Sequence, residues 1–184
     1  MNPVDICRGL GEARTRSIFL ELTTDAMKKV LREAKLPTAR MASHTSTRKR
    51  NDDWSSRVWR VIQSAHAAAS PPPATTSNDK PAAPVANPPA AASATLLFEW
   101  LTRSRRAMLA EFLSACDVKH EGGLTDADFM KDTPPEKLVA AGKKLLDGHD
   151  KPEVAAYLLF LDASNASEIF APLELDKVFA AAAA

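Results

Sequence analysis

Apolar residues recur at three- and four-residue intervals along much of the chain, the spacing that aligns one face of a helix. In residues 95–115, Leu97, Trp100, Leu101, Met108, Leu109, Phe112 and Leu113 form a broad stripe, with Arg103, Arg105 and Arg106 on the other side. Thr95 is placed to cap that helix. Thr133-Pro134-Pro135-Glu136 opens the next one: a cap hydroxyl, a proline at the first helical position and an acid in the first turn make up a capping box. Leu138, Val139, Gly142, Leu145 and Leu146 carry it to Gly148. Asp150-Lys151-Pro152-Glu153 repeats the start ahead of Val154, Tyr157, Leu158 and Leu161. Asn165-Ala166-Ser167-Glu168 is a third box before a short turn at Ile169–Phe170. Pro172 breaks that turn, and Leu173–Ala184 reads as a terminal helix. Residues 95–184 therefore predict a bundle of three to four helices.

The front of the chain predicts smaller helices. Glu12–Leu22 brings Ile18, Phe19 and Leu22 to one side. Thr23 or Thr24 caps a second helix with Asp25 in its first turn, where a negative charge suits the helix dipole. Met27, Val30, Leu31 and Ala34 form its buried stripe, and Lys28, Lys29, Arg32 and Lys35 its exposed side. Leu36-Pro37 ends it. Thr38–Arg50 (TARMASHTSTRKR) carries Arg40, Arg48, Lys49 and Arg50, with His44, and no acid. Asn51 or Asp52 caps a third helix with Trp54, Val58, Val61, Ile62 and Ala65 inward and Trp59 beside Arg57 and Arg60.

Between these parts, residues 67–94 hold seven of the 13 prolines, many alanines and no glycine. Proline cannot continue a helix interior and biases its predecessor to extended geometry. With Val85 as its one sizeable apolar side chain, this stretch has little to bury and is expected to be a disordered, semi-stiff linker. The expected organisation is all-α, with a basic helical module at 1–66, the linker at 67–94 and an acidic bundle at 95–184. No interior is expected to be shared between the two modules.

Charge sharpens that division. Of 24 Lys+Arg and 23 Asp+Glu in the 184 residues, residues 1–70 hold 13 and 7, a balance of +6, and residues 95–184 hold 10 and 15, a balance of −5. A basic front and an acidic back point to different partners.

The run Leu22–Thr38, beginning Leu-Thr and ending Leu-Pro-Thr after Leu/Met positions at helical spacing, resembles the first helix and turn of SAP-type helix-extension-helix modules. Some ten additional residues separate it from the second helix at Trp54–Ile62, and the Gly-Lys that follows in that family is absent. The resemblance covers roughly 40 residues and implies contact with a DNA or RNA backbone. Lys28, Lys29, Arg32, Arg40, Arg48, Lys49, Arg50, Arg57 and Arg60 are the candidate contacts, and Trp59 a candidate base-stacking platform. The plainer alternative is a helical bundle with solvated cations and a tryptophan at its edge.

Other chemistry finds little support. Asp117–Asp128 (DVKHEGGLTDAD) has the length of an EF-hand loop with Gly122 sixth. However, Lys119 occupies a ligand place and Asp128 stands where the longer Glu reaches calcium with both oxygens. Cys116 and His120 are four apart, but a zinc site needs further ligands that neither Cys7 nor His149 is spaced to provide. Cys116 reads as a small buried hydrophobe. None of the six glycines forms a phosphate loop or dinucleotide fingerprint, and no carboxylate pair is set for acid–base work. No cofactor, no metal and no catalysis are expected. No run of 18 apolar residues exists, and Met1–Leu20 lacks an apolar targeting core, so no membrane association and a cytoplasmic location are expected. The function expected is a non-catalytic adaptor, its front on nucleic acid and residues 95–184 on a protein partner. The alternative is a structural subunit of a larger protein assembly that binds no nucleic acid.

Overall fold

The computed structural model describes residues 1–33, 88–126 and 128–183, and the elements among them are helical, as expected. α1 spans Pro3–Glu21, α2 Thr24–Glu33, α3 Pro88–Ser104, α4 Arg106–Ala115, α5 Phe129–Asp132, α6 Pro135–Gly148, α7 Lys151–Asn165 and α8 Leu175–Ala183; a 3-10 turn at Ala171–Leu173 precedes the last.

The helical parts on either side of residues 34–87 share one interior. Ile6, Leu10, Ile18 and Phe19 of α1 and Ala26, Met27 and Val30 of α2 lie in the same buried cluster as Leu97 and Trp100 of α3, Phe112 of α4 and Leu158 of α7. α1 packs on α3, α7 and α8, and α2 on α3. The expectation of unshared interiors is corrected here, and the reason is area. α1 and α2 together carry few large side chains, so a two-helix unit would leave much of its apolar face in water. α3 covers that face and is itself nearly surrounded, with Leu96, Leu97, Trp100 and Leu101 all buried. At the other end Phe112 takes Phe129, Tyr157 and Phe170 edge-on, with centroids 6.2, 5.4 and 6.1 Å away. Such T-shaped contacts suit the positive ring edge against the negative face.

Several boundaries differ from those expected. α1 begins at Pro3 rather than Glu12: the Asn2 side chain accepts from the Asp5 N–H at 3.0 Å, and Pro3 stands where a missing N–H costs nothing. Gly11, at φ 77° and ψ 166°, kinks the helix, a conformation available to a residue without Cβ. Across the kink the buried Thr15 hydroxyl donates to the Cys7 carbonyl at 2.9 Å. α3 starts at Pro88, within the stretch assigned to the linker, and buries Ala92 and Ser93. Its prolines fall in the first turn, where they are tolerated, and the alanines after them favour helix.

The single helix expected from Thr95 to Ala115 is interrupted at Arg105, at φ −120° and ψ 25°. Thr133 does not cap α6: the cap position is Pro134, with no side-chain hydrogen bond. Asp150 does cap α7, accepting from the Glu153 N–H at 3.2 Å. Asn165 closes α7 instead of opening a box, and the cap that follows is made by Asp162, a buried acid that no sequence signal marked. Its carboxylate accepts from Ser167 Oγ at 2.7 Å, Ile169 N at 3.0 Å and Phe170 N at 3.1 Å.

Candidate functional site

Three of the ten predicted nucleic-acid contacts lie among the described residues. Lys28, Lys29 and Arg32 project from α2 opposite the buried Met27 and Val30, and all three are exposed. Two are engaged. Lys28 Nζ pairs with Asp25 at 3.1 Å, a solvated contact along one helix face. Lys29 Nζ crosses to Glu99 of α3 at 2.7 Å. Arg40, Arg48, Lys49, Arg50, Arg57, Trp59 and Arg60 lie outside the described residues, as do the loop at 38–50 and the expected third helix.

Glu99 is the centre of an ionic seam joining the front helices to the rest. Its side chain is 4% exposed, and its second oxygen accepts from Arg103 Nε at 2.7 Å. The hydrogen bonds from Lys29 and then Arg103 outweigh desolvation and hold the Glu99 carboxyl below its ordinary range. Just past the end of α3 the Arg105 guanidinium donates to both Glu153 oxygens, at 2.7 and 2.6 Å, and to Glu21 Oε2 at 3.1 Å. It also stands over the Trp100 ring, 5.1 Å from the centroid. The break between α3 and α4 thus falls where one arginine joins α1 and α7. Arg14 adds a bidentate contact to Asp150 at 2.8 and 3.3 Å.

The two candidate metal motifs are put to other uses. Asp117 pairs with Lys137 and Asp128 with Lys131, so lysines hold both end carboxylates of the EF-hand-like stretch. Glu121 and Leu124 exchange backbone hydrogen bonds at 2.8 and 3.1 Å around Gly122 and Gly123, whose positive φ values form a tight turn. Both His120 nitrogens are occupied: Nε2 meets Ser114 Oγ at 2.8 Å, and Nδ1 accepts from the Gly123 N–H at 3.3 Å. An Nδ1 that accepts places the neutral ring's proton on Nε2. Among the described residues no group of three or more His, Cys, Asp and Glu is arranged to hold a metal ion. Both thiols are buried and free. Burial pushes Cys7 up to about 12, against a smaller opposing effect of the Ser93 hydrogen bond, and raises Cys116 in the same way.

One concavity went unread in the sequence: a cleft of about 390 Å³ where the end of α4, α5 and the start of α6 meet. Cys116, Val118, Phe129 and Pro134 give it apolar walls, and Lys119, Asp132, Thr133 and the Asp117–Lys137 pair its polar rim. No periodicity or motif joins these residues in sequence; the turn at Gly122-Gly123 brings them together.

No family model, curated protein or solved structure matches the chain. Among the described residues no helix is long and apolar enough to cross a membrane.

Proposed function

We propose that the protein is a non-catalytic adaptor in which the basic residues between α2 and α3 contact nucleic-acid phosphates and the helical body engages a protein partner. The observation that carries this reading is where the charge resides. Residues 34–87 hold eight Lys+Arg against three Asp+Glu, a balance of +5, and the rest of the chain holds 16 against 20, a balance of −4. A local excess of cations is what a polyanion's counterion release rewards, and the stretch 38–50 holds four of these cations and no acid. Arg40, Arg48, Lys49, Arg50, Arg57 and Arg60 are the leading contacts, and Trp59 the stacking candidate. Lys28, Lys29 and Arg32 take a secondary place, since Asp25 and Glu99 compete for the two lysines. The likeness of residues 22–38 to SAP modules supports the same class of ligand.

The test titrates fluorescent duplex DNA and single-stranded RNA with the full chain at low and moderate salt, beside a variant carrying Arg48→Ala, Lys49→Ala and Arg50→Ala. The full chain is needed because α1 and α2 bury their apolar faces on α3 and would be uncovered in a fragment. Binding should weaken steeply with salt. The variant should reduce the slope of log affinity against log salt by roughly two to three, about 0.7–0.9 for each phosphate no longer neutralised. Absence of binding at low salt, or a slope the variant leaves unchanged, refutes the proposal and leaves a structural subunit of a larger assembly.

A further inference from the structure

We infer that the exposed face running from α3 onto the start of α4 is a contact for single-stranded nucleic acid, with Phe98 stacking an unpaired base and the Arg103 and Arg106 guanidiniums holding phosphates beside it. This rests on the nucleic-acid reading above and extends it from residues 34–87 to the folded body. Phe98 is 53% exposed, and it is the one aromatic among the large apolar side chains exposed in the described residues. A lone exposed ring is ordinary on a protein surface, so its neighbours decide the matter. Thr102 Oγ donates to the Phe98 carbonyl and Arg106 Nε to the Thr102 carbonyl, each at 2.7 Å, so Phe98, Thr102 and Arg106 follow one another along a single ridge. On the next ridge Arg103 Nε is held by Glu99 at 2.7 Å. Both arginines are fixed at Nε, while their terminal nitrogens make no hydrogen bond among the described residues. Arg105 is the contrast: its Nε and both terminal nitrogens are spent on Glu153 and Glu21. A guanidinium tethered at Nε with its fork free has already given up side-chain freedom and presents paired donors to phosphate oxygens.

The local charge agrees. Glu99 is 4% exposed and both its oxygens are taken, by Lys29 and Arg103, so two half-exposed cations stand over one covered carboxylate. Arg106 makes no ion pair among the described residues, and Asp25, the exposed acid in the first turn of α2, is occupied by Lys28. Together α2 and residues 98–106 hold six Lys+Arg against three Asp+Glu, a balance of +3 that falls to +2 with Arg105 spent. The ring then selects the kind of strand. In a duplex every base is already stacked on its neighbours, and only an unpaired base can lay its face on Phe98.

The experiment follows binding of the full chain to oligo(dT) and to duplex DNA of the same length by fluorescence anisotropy across a salt series. Phe98→Ala and Arg106→Gln are compared with Leu20→Ala, which removes an apolar side chain of like exposure from α1. Phe98→Ala should weaken oligo(dT) binding about tenfold, with the salt slope and the duplex affinity unmoved. Arg106→Gln should lower the slope on oligo(dT) by about 0.7, the share of one phosphate no longer neutralised. Leu20→Ala should do neither. A Phe98→Ala chain that binds oligo(dT) like the native one, or that loses duplex and single strand equally, overturns the inference, as does a slope that Arg106→Gln leaves unchanged. If the triple variant at Arg48, Lys49 and Arg50 still lowers the slope in that event, nucleic-acid binding by residues 34–87 stands without this face. No binding of the native chain to either probe overturns both.

Discussion

Glu99 offers the sharpest test of the shared interior, because its carboxylate is buried while the two cations that satisfy it stay half in water. Lys29 is 58% exposed and Arg103 49%, against 4% for Glu99. The three side chains therefore differ in what their removal leaves behind. Without Glu99, the cations rotate into solvent. Without both cations, a carboxylate stays in the interior with no charged partner, a situation that costs about 3–5 kcal/mol. Lys29→Ala alone forfeits one charge-assisted hydrogen bond and leaves Arg103 in place, so about 1–2 kcal/mol is expected. The double variant Lys29→Ala/Arg103→Ala should lose about 3–5 kcal/mol, or roughly 9–15 °C in Tm for a body of this size. Adding Glu99→Met should recover most of that loss, since an apolar side chain of similar volume is at home there.

The pH dependence has a definite sign. In the native protein the folded pKa of Glu99 is lowered, so its contribution is present above the unfolded value near 4.5 and lost as pH falls through the folded value. In the double variant desolvation acts alone and raises the folded pKa. The penalty then vanishes where the carboxyl is protonated in both states, and the deficit measured at pH 7 should shrink towards pH 4. Urea denaturation followed by helical circular dichroism at both pH values reads each quantity. A double variant within about 1 kcal/mol of the native protein, or no recovery on adding Glu99→Met, would mean that α2 does not cover Glu99 and that the front helices are not docked on α3.

Three further outcomes follow from the packing. Cys7 and Cys116 are 1% and 4% exposed with raised thiol pKa values, so both should resist a thiol reagent at pH 8 and react together once denaturant is added; rapid stoichiometric reaction of the native chain would contradict their burial. At Gly123, with φ 85°, a Cβ would stand 2.5 Å from the Arg106 carbonyl oxygen, so Gly123→Ala should cost about 2 kcal/mol or more in chemical denaturation, whereas Gly148→Ala, with open space around it, should cost nothing. Asp162→Ala removes the acceptor of one hydroxyl and two amide donors at the end of α7 and should cost about 2–4 kcal/mol with accelerated hydrogen exchange at Ile169 and Phe170; unaltered exchange there would dismiss its capping role.

The helical class and the inward faces were legible because periodicity is a local property. Met27 and Val30, Leu97 and Trp100, and Val154 and Leu158 all sit where a 3.6-residue repeat puts them. Helix starts were legible where a side chain does the capping, as at Asp150, and misread where it does not, as at Thr133. Proline density was the more instructive signal. In residues 67–94 it read as one linker, yet Pro88 and Pro89 occupy the first turn of α3, where the same residue begins a helix that it would break a turn later. Composition averaged over a window cannot register that positional difference. The cleft was invisible for another reason: Lys119, Asp132 and Thr133 come together through a two-glycine turn, and nothing in their spacing marks the meeting.

The docking of α1 and α2 also changes what the charge division means. Residues 1–33 hold six Lys+Arg and five Asp+Glu, so the folded front is close to neutral and the excess of the first 70 residues belongs to those after Glu33. Several of the front's charges are spent on the acidic part: Lys29 on Glu99, Arg14 on Asp150, and Glu21 on Arg105. Part of the attraction implied by a basic front and an acidic back is thus used inside the fold: Lys29–Glu99 is partly buried and screened less by salt, whereas Arg14–Asp150 and Arg105–Glu21 lie in water and are screened like other surface pairs. The remaining cations enter and leave the body through α2 and α3, two helices packed on one another. A polyanion bound by residues 34–87 would raise the stability of the body only by as much as it binds the folded chain more tightly than the unfolded one, so a Tm that rises with added polyanion would mean that its contacts include the folded helices, and an unchanged Tm that they do not.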